Sequence, residues 1–317
     1  MPRVLVLFYS QSGDVTRAAE ALLKPLADSG AEIVWRRIEP QKPYPYPWRR
    51  VDRFFDVLPE CVVGDAPPIQ PLGLAGEKFD LIVLAYQVWF LSPSLPVQGF
   101  FASPAASILA GTPVVTLSVS RNMRNVAARR MKKLLAAAGA VHLGEVAATH
   151  QGPAAATFIS APRALLTGRR NAVGRVLPAA GLDETAHARL TRLGGALVER
   201  MSTAAEQSLW NPEEAAPLNA RYWLAEWAGW ALFYTAARII RLLGRLGKPA
   251  RLLGVLLLCV WMVLATPLFA VLSLLASPLV ARYFRRQTGG QAARATTCSP
   301  NCCTPPGTPK SLAGSAR

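Results

Sequence analysis

The chain has 317 residues, enough for one α/β domain with additional segments. Its hydrophobic fraction of 51% and mean hydropathy of +0.24 are high for a soluble protein. The net charge of +16 favours anionic partners, and we expect a membrane surface rather than nucleic acid, since basic residues flank an apolar segment and no nucleic-acid-binding motif accompanies them. Five cysteines, two isolated and three near the C-terminus, exclude a disulfide framework.

Short, continuous apolar runs predict the strands of a parallel sheet that is buried on both faces. The five runs are Arg3–Tyr9, Glu32–Ile38, Phe79–Ala85, Pro113–Val119 and Val141–Thr149. Predicted helices alternate with them, at about Val15–Ala27, Asn122–Ala138 and Asp183–Ala204. This alternation predicts right-handed crossovers and an α/β, doubly wound, five-stranded parallel sheet within residues 1–205.

Two long segments interrupt the alternation of strands and helices. Residues 39–78 are rich in proline and aromatic residues, above all in Lys42-Pro-Tyr-Pro-Tyr-Pro-Trp48, with a short helical piece near Val51–Leu58. Residues 151–182 form the second insertion. Because loops of this length are uncommon unless they have a function, we expect both insertions to border a binding site.

The composition changes after the α/β domain. Residues 206–250 are predicted to be a linker followed by an amphipathic helix at about Arg221–Lys248, in which tryptophans alternate with arginines. Aromatic and basic residues on one helix are typical of the membrane interface. The alternative is a helix that packs on the domain.

An uncharged segment follows this amphipathic helix. Leu252–Val280 has no charged side chain, and about 20 apolar residues suffice to cross a bilayer. We therefore predict a membrane helix within residues 251–283, kinked at Pro267. A single tilted span is preferred to a re-entrant hairpin, and residues 284–317 are predicted to be a disordered tail. The expected location is the inner membrane, with the α/β domain in the cytoplasm.

A hydroxyl- and glycine-rich turn links the first predicted strand directly to the first helix. It reads Ser10-Gln-Ser-Gly-Asp-Val-Thr16. Backbone N–H groups and the positive end of a helix bind phosphate, but the turn lacks the lysine of ATP-binding loops and the Gly-x-Gly-x-x-Gly pattern. It therefore predicts a site for a phosphomonoester such as that of FMN, whereas the alternative is an ordinary helix start. The predicted contacts are Ser10, Gln11, Ser12, Gly13 and Thr16.

Two further loops are expected at the same edge of the sheet, where ligands of doubly wound folds bind. The first follows the third strand, and its aromatic residues could stack on a flavin ring while its backbone meets the pyrimidine edge. Its predicted cofactor contacts are Tyr86, Gln87, Val88, Trp89 and Phe90. The second follows the fourth strand, where Arg121 beside the ring would stabilise a reduced, anionic flavin. Its predicted contacts are Ser120, Arg121 and Asn122.

Taken together, these loops resemble the flavodoxin fold and, more narrowly, the flavodoxin-like dialkylresorcinol condensing enzymes. The resemblance covers about residues 3–200 and the apolar C-terminal end, and it departs from ordinary flavodoxins by the extra Val15. The matching stretches are Phe-Tyr-Ser-Gln-Ser-Gly (8–13), Lys-Pro-Tyr-Pro-Tyr-Pro-Trp (42–48), Tyr-Gln-Val-Trp-Phe-Leu-Ser-Pro-Ser-Leu-Pro (86–96), Ser-Arg-Asn-Met (120–123) and Thr-Phe-Ile-Ser-Ala-Pro-Arg-Ala-Leu-Leu-Thr-Gly (157–168).

The resemblance implies a role in making dialkylresorcinols, lipid-like aromatic head groups of bacterial pigments. A partner ketosynthase would form a cyclic diketone, and this FMN-dependent protein would oxidise it to the resorcinol. Although the family name credits such proteins with the condensation, no thiolase-like pattern surrounds a cysteine here. The catalytic base is predicted to be His150, with Asp56 and Tyr86 as rivals, and segments 42–58 and 153–175 are expected to hold the acyl chains.

Two other functions stay open at this point. One is a quinone-coupled, flavodoxin-like dehydrogenase of another substrate, of the protoporphyrinogen-oxidase type. The other is a membrane scaffold that binds no cofactor and recruits the ketosynthase. No metal site is predicted, because the C-terminal cysteines Cys298, Cys302 and Cys303 lack neighbouring histidines.

Overall fold

The computed structural model describes residues 1–152, 154–174, 177–201, 209–217 and 223–264. Its strands, in chain order, are β1 (Arg3–Phe8), β2 (Glu32–Arg37), β3 (Leu81–Trp89), β4 (Ser92–Pro93), β5 (Pro113–Ser120) and β6 (Val141–Thr149). Its helices are α1 (Asp14–Asp28), α2 (Val51–Phe55), α3 (Leu58–Val63), α4 (Leu95–Phe101), α5 (Asn125–Ala137), α6 (Ala154–Thr167), α7 (Glu184–Met201), α8 (Pro212–Ala215), α9 (Trp223–Arg245) and α10 (248–264).

The central sheet has the strand order β2-β1-β3-β5-β6, and all four pairings along it are parallel. This is the order of the flavodoxin-like doubly wound fold, in which the chain changes direction between β1 and β3. The five predicted strands and the predicted α/β, doubly wound sheet are therefore confirmed. The prediction missed a sixth strand, β4, which pairs antiparallel with the end of β3.

Two helical layers cover the sheet because its strands are apolar on both faces. Val4 and Val6 of β1 point to the layer that contains α1 and α7. Leu5 and Leu7 point to the opposite layer, which α4 and α5 cover. Both faces of β1 are thus buried, as expected for a central parallel strand. The polar groups that can form a site lie at the carboxyl ends of the strands.

Several element boundaries differ from the sequence-based prediction. The third strand ends at Trp89 rather than at Ala85, because its last residues pair with β4. The second insertion contains the unpredicted helix α6. The first insertion carries two short helices, α2 and α3, instead of one. The fourth-strand loop continues to Arg124, since α5 begins at Asn125.

The C-terminal helices α9 and α10 form a hairpin against the first insertion. Leu58 and Val62 of α3 pack on Ile240 of α9 and on Leu258 of α10. The Arg251 guanidinium adds ion pairs with the carboxylates of the same insertion, at 2.6 Å from Asp56 and 2.9 Å from Glu60. The predicted amphipathic helix is therefore present, and one of its sides is bound to the domain.

The predicted membrane segment is only partly described. Of its residues, 251–264 belong to α10, whereas 265–283 and the predicted tail at 284–317 lie outside the described part of the chain. Within that part, none of the helices combines the length and the apolar character that a bilayer crossing requires. The last residues of the helix predicted to reach Ala204 also lie outside it.

Candidate functional site

The turn after β1 leads into α1 through a glycine, which has no side chain to cap the helix. Gly13 has a positive φ of 84° at the N-cap position, and its carbonyl oxygen accepts the Arg17 N–H at 3.1 Å. The Thr16 N–H donates a long bond of 3.4 Å to Ser10 Oγ. The first N–H groups of a helix have no partner within the helix, and its positive end attracts anions. The turn therefore has the polarity that an anion site needs.

A buried carboxylate lies at the start of this helix. Asp14 is 3% exposed, and its Oδ2 accepts a hydrogen bond of 2.8 Å from Ser12 Oγ. Its Oδ1 accepts bonds from Arg17, at 2.7 Å, and from Arg170. Burial alone would raise the pKa of the Asp14 carboxyl, but the Arg170 guanidinium and the Ser12 hydroxyl outweigh it, so the pKa is lowered. The carboxylate is ionised at neutral pH.

Sequence reasoning missed both partners of this ion pair. Arg170 comes from the second insertion and also donates to the Ser12 carbonyl oxygen at 2.8 Å, so it joins that insertion to the turn after β1. The Asp14 position gave a weak signal, because an acidic residue in a proposed phosphate loop is unexpected. Arg170 gave none, because nothing in the local pattern indicates which distant residue a loop arginine will contact.

Gln11 connects the turn to the proline-rich segment of the first insertion. Its amide nitrogen donates to the Pro45 carbonyl oxygen at 2.8 Å, and its amide oxygen accepts from the Trp48 indole N–H at 3.2 Å. Both polar atoms of this side chain are engaged by residues 45–48. Gln11 therefore holds the segment in place, and the predicted cofactor contact from its side chain is not supported by this geometry.

Four aromatic side chains, Tyr9, Tyr44, Trp48 and Trp89, form what we call the aromatic wall. The Trp89 ring centroid lies 5.7 Å from that of Tyr9, 5.4 Å from that of Tyr44 and 6.3 Å from that of Trp48. Burial raises the pKa of Tyr44 to about 12, so its hydroxyl stays neutral. The wall brings β1, the first insertion and β3 together at the switch point of the sheet.

Tyr86 does not belong to this wall, which corrects the prediction that it stacks on a flavin. It lies inside β3, and its side chain is completely buried in the layer shared with α4 and α5. Burial raises the pKa of the Tyr86 phenol, so it is also excluded as a base at neutral pH. The prediction failed because it ended the third strand one residue before Tyr86.

The turn between β3 and β4 directs Phe90 away from the wall's centre. Phe90 and Leu91 have positive φ angles of 49° and 60°, and the Phe90 ring contacts Phe54 of α2 at 4.8 Å and Phe233 of α9 at 6.2 Å. Val88 is paired with β4. Val88 therefore belongs to the edge of the sheet, and Phe90 links that edge to the C-terminal hairpin.

The loop after β5 approaches the second insertion. The Asn122 amide donates to Thr157 Oγ1 of α6 at 3.2 Å. Arg121 lies near enough to His150 to lower the pKa of that histidine. Ser120, the last residue of β5, is buried. The predicted residues of this loop thus lie at the sheet edge, between the first turn of α1 and α6.

Three buried polar atoms at this edge have no hydrogen-bond partner in the described part of the chain. They are Gln87 Oε1, Ser120 Oγ and His150 Nδ1, at the ends of β3, β5 and β6. The amide nitrogen of Gln87 donates to Ser12 Oγ at 3.2 Å, which places that amide against the turn after β1. Because buried polar groups are nearly always hydrogen-bonded, we expect ordered water or a polar ligand to bond to these three atoms.

His150 lies beside the first turn of α1. Its Nε2 is 4.0 Å from Asp14 Oδ2, and its backbone N–H donates to the Ser120 carbonyl oxygen at 3.0 Å. Burial lowers the pKa of His150 more than the Asp14 carboxylate raises it, so the ring is neutral at neutral pH and can accept a proton. Its role as the base stays a prediction. The rival Asp56 is held by Arg251.

No group of three or more histidine, cysteine or acidic side chains suited to a metal ion occurs among the described residues. Cys61 is buried, and burial raises the pKa of its thiol to about 12, so it is not a reactive thiolate.

No protein-family model and no curated protein matches the chain. Among solved structures, it is similar to a flavoprotein in complex with FMN from Lactobacillus acidophilus NCFM, at 18% identity over 46% of this chain and 93% of that one, with a TM-score of 0.38. It is also similar to the oxidised flavodoxin 1 from Bacillus cereus, at 12% identity over 62% of this chain and 97% of that one, with a TM-score of 0.35. A third similar structure is the flavodoxin, WrbA-like protein from Agrobacterium tumefaciens, at 12% identity over 65% of this chain and 100% of that one, with a TM-score of 0.37. These likenesses concern the fold alone, which rests on the strand order.

Proposed function

We propose that this chain is an FMN-dependent oxidoreductase that works at a membrane on a lipid-like cyclic diketone. In its specific form, it oxidises a 2,5-dialkylcyclohexane-1,3-dione to the resorcinol in dialkylresorcinol biosynthesis. The substrate would come from a partner ketosynthase. The resemblance described above supplies the pathway, whereas the geometry of the sheet edge supports the flavin.

The observation that carries the flavin site is the convergence at the β1–β3 switch point. A helix start whose N-cap residue is a glycine, with one buried carboxylate between two guanidinium groups, lies beside three unpartnered polar atoms. The aromatic wall closes the same edge. A flavin mononucleotide combines an anionic phosphate, polar ring atoms and a flat aromatic system, so its three chemical parts match the three parts of the edge.

Each part of the chain has a defined task in this proposal. Ser10, Ser12 and the first N–H groups of α1 bind the phosphate, while Trp89 and Trp48 border the ring. When bound, FMN supplies the acceptor for the hydride that a ring carbon of the diketone loses. A base takes the accompanying proton, so the six-membered ring gains a double bond by losing two hydrogen atoms. His150 is neutral and offers Nε2 or Nδ1 as that base.

The detergent-purified full chain is expected to carry a flavin that is released on denaturation and identified as FMN by chromatography. Changing both Ser10→Ala and Ser12→Ala is expected to weaken FMN binding by roughly tenfold or more, because two hydroxyl partners of the turn are lost. Fluorescence titration of the apo protein with FMN measures this loss. The matched control is Ser107→Ala, a change of the same kind at an exposed serine before β5.

Two results would contradict the flavin site. A colourless chain that takes up no FMN would favour the scaffold function that recruits the ketosynthase. Unchanged FMN binding in the double serine variant would place the phosphate elsewhere. A chain that binds FMN and oxidises a tetrapyrrole precursor, but no cyclic diketone, would favour the quinone-coupled alternative.

The membrane part of the proposal rests on the outer side of the α9–α10 hairpin. Apolar side chains are exposed there from one helix to the other, and the basic residues Arg238, Arg245 and Lys248 are exposed near the turn between them. Apolar surface next to basic side chains is the pattern that binds to anionic lipid headgroups. The exposed apolar residues are Ile239, Leu242, Leu246, Leu252, Leu253, Leu256, Leu257, Val260, Val263 and Leu264.

The full chain is expected in the membrane fraction, where it should resist washing with high salt, because apolar burial is not screened by ions. Changing Leu253→Glu with Leu257→Glu is expected to reduce the bound fraction by roughly tenfold or more, since charged side chains are costly in hydrocarbon. Sedimentation with vesicles of phosphatidylcholine and phosphatidylglycerol measures the change. The control Val141→Glu alters an exposed apolar residue at the start of β6. A full chain that stays in the supernatant would overturn the membrane attachment and leave the flavin site unaffected.

A further inference from the structure

Arg170 connects three parts of the candidate site. Its Nη1 donates to the Ser12 carbonyl oxygen at 2.8 Å, and its Nη2 donates to Asp14 Oδ1 and, at 3.2 Å, to the Ala180 carbonyl oxygen. The Arg170 side chain extends from the second insertion to the turn, and it is 25% exposed, so it stays accessible to solvent. One guanidinium therefore bonds the turn after β1, the first turn of α1 and the end of the insertion.

The charges around this guanidinium do not cancel. Arg170 and Arg17 share the single Asp14 carboxylate, which leaves one positive charge in excess at the start of α1. The neighbouring His150 is neutral at neutral pH, so it does not compensate for either sign. The positive end of the helix adds to the excess. This arrangement favours one further anion at the turn, next to Arg170.

We propose that Arg170 binds the phosphate of FMN and thereby makes the chain select the phosphorylated flavin over riboflavin. The inference rests on the proposed FMN site and adds to it a residue that lies 158 positions from the turn. In the same site, the Asp14 carboxylate competes with the phosphate for the guanidinium. Removing the arginine and removing the carboxylate must therefore change flavin selectivity in opposite directions.

The same contact joins cofactor binding to the position of the second insertion. The Ala180 N–H donates back to the Arg170 carbonyl oxygen at 2.8 Å, and the Gln151 N–H donates to the Gly181 carbonyl oxygen at 2.9 Å. These bonds hold Arg170 and residues 180–181 together beside the turn. A phosphate bound to Arg170 fixes these residues, whereas riboflavin, which has no phosphate, does not.

The test is the ratio of the riboflavin and FMN dissociation constants, measured by flavin fluorescence with the apo form of the full chain. Arg170→Gln is expected to lower this ratio by roughly 10- to 100-fold, because a charge-assisted hydrogen bond to the phosphate is lost while the contacts to the ring remain. Asp14→Asn is expected to raise the ratio by roughly fivefold. The matched control is Arg169→Gln, which removes the same charge from the neighbouring, exposed residue and should leave the ratio unchanged.

A second readout does not involve the flavin ring. FMN, but not riboflavin, is expected to protect residues 168–182 of the wild-type chain from limited trypsin digestion, and Arg170→Gln should abolish the difference. A ratio that is equal in Arg170→Gln and the wild type would overturn this inference alone, since FMN would still bind. If Arg170→Gln does not fold, an unchanged ratio in Asp14→Asn overturns it. A wild-type chain that binds neither flavin overturns both the inference and the proposed function.

Discussion

Gly194→Ala is expected to destabilise the fold by about 1–3 kcal/mol, although alanine favours helix over glycine by about 1 kcal/mol. Gly194 lies where α7 crosses α1, between the buried residues Leu193 and Leu197. A Cβ built at this position would overlap the carbonyl oxygen of Leu22 and lie 3.1 Å from Pro25 Cδ. Because the overlap is with backbone, no side-chain rotation relieves it, and the two helices must move apart.

The neighbouring glycine provides the control for this prediction. A Cβ at Gly195 would have no atom within 4 Å, so Gly195→Ala is expected to stabilise the chain by up to about 1 kcal/mol. Chemical denaturation of both variants gives the two free energies of unfolding. A Gly194→Ala variant as stable as Gly195→Ala would show that α1 and α7 are not in this contact. A displacement of α1 would also change the candidate site, because α1 begins at the candidate phosphate turn.

The sheet was predictable from the sequence because its strands are buried on both faces. A strand such as β1, with Val4 to Leu7 all buried, has to be a continuous apolar run, and such runs are visible without any alignment. Their spacing by helices then restricts the connections to right-handed crossovers, and the resemblance of the three loops to the flavodoxin fold implies the doubly wound order. The turn at Ser10–Gly13 follows from the same reasoning, because it must lie between a buried strand and a helix.

The end of β3 could not be found in this way. After Ala85 the chain continues with apolar and aromatic residues, so composition does not show where the strand stops. The strand is extended by its pairing with β4, through a turn in which Phe90 and Leu91 take positive φ angles. Such turns are normally indicated by glycine or asparagine, and neither residue is present here. Tyr86 was therefore assigned to the site instead of the core.

Contacts between residues far apart in the chain also could not be predicted from the sequence. The Asp14–Arg170 pair joins a helix start to a loop, and no periodicity relates the two. Glu226 of α9 is a similar case, since no local pattern indicates which distant backbone group this glutamate contacts. It is 1% exposed, and its carboxylate accepts the Val126 N–H at 2.7 Å, at the start of α5. Burial, opposed by this hydrogen bond, raises the pKa of Glu226 to about 7.

The same region contains a buried ion pair that holds the end of the candidate flavin loop. Arg124 Nη1 lies 2.6 Å from Glu145 Oε1, and the two side chains are 7% and 11% exposed. Arg124 Nη2 donates to the carbonyl oxygens of Ala216, at 2.5 Å, and Pro217, at 3.0 Å. The guanidinium therefore fixes the residue before α5 to β6 and to the segment after α8. Loss of the Arg124 guanidinium would therefore remove one of the contacts that hold the loop at Ser120–Asn122 in place.

Arg124→Met is expected to destabilise the chain by about 3–5 kcal/mol, because the buried Glu145 carboxylate loses its close charge partner and keeps the more distant Lys132 ammonium, at 3.8 Å, while two carbonyl oxygens lose their guanidinium donor. The double change Arg124→Met with Glu145→Met should recover most of that loss, since two apolar side chains of similar volume can replace a buried ion pair at little cost. Lys133→Met, at an exposed position of α5, should alter the free energy of unfolding by less than about 0.5 kcal/mol. Urea denaturation of the three variants measures these differences. If the double variant were as unstable as Arg124→Met, the main role of Arg124 would be its bonds to the Ala216 and Pro217 carbonyls, and the flavin loop would depend on the segment after α8 rather than on β6.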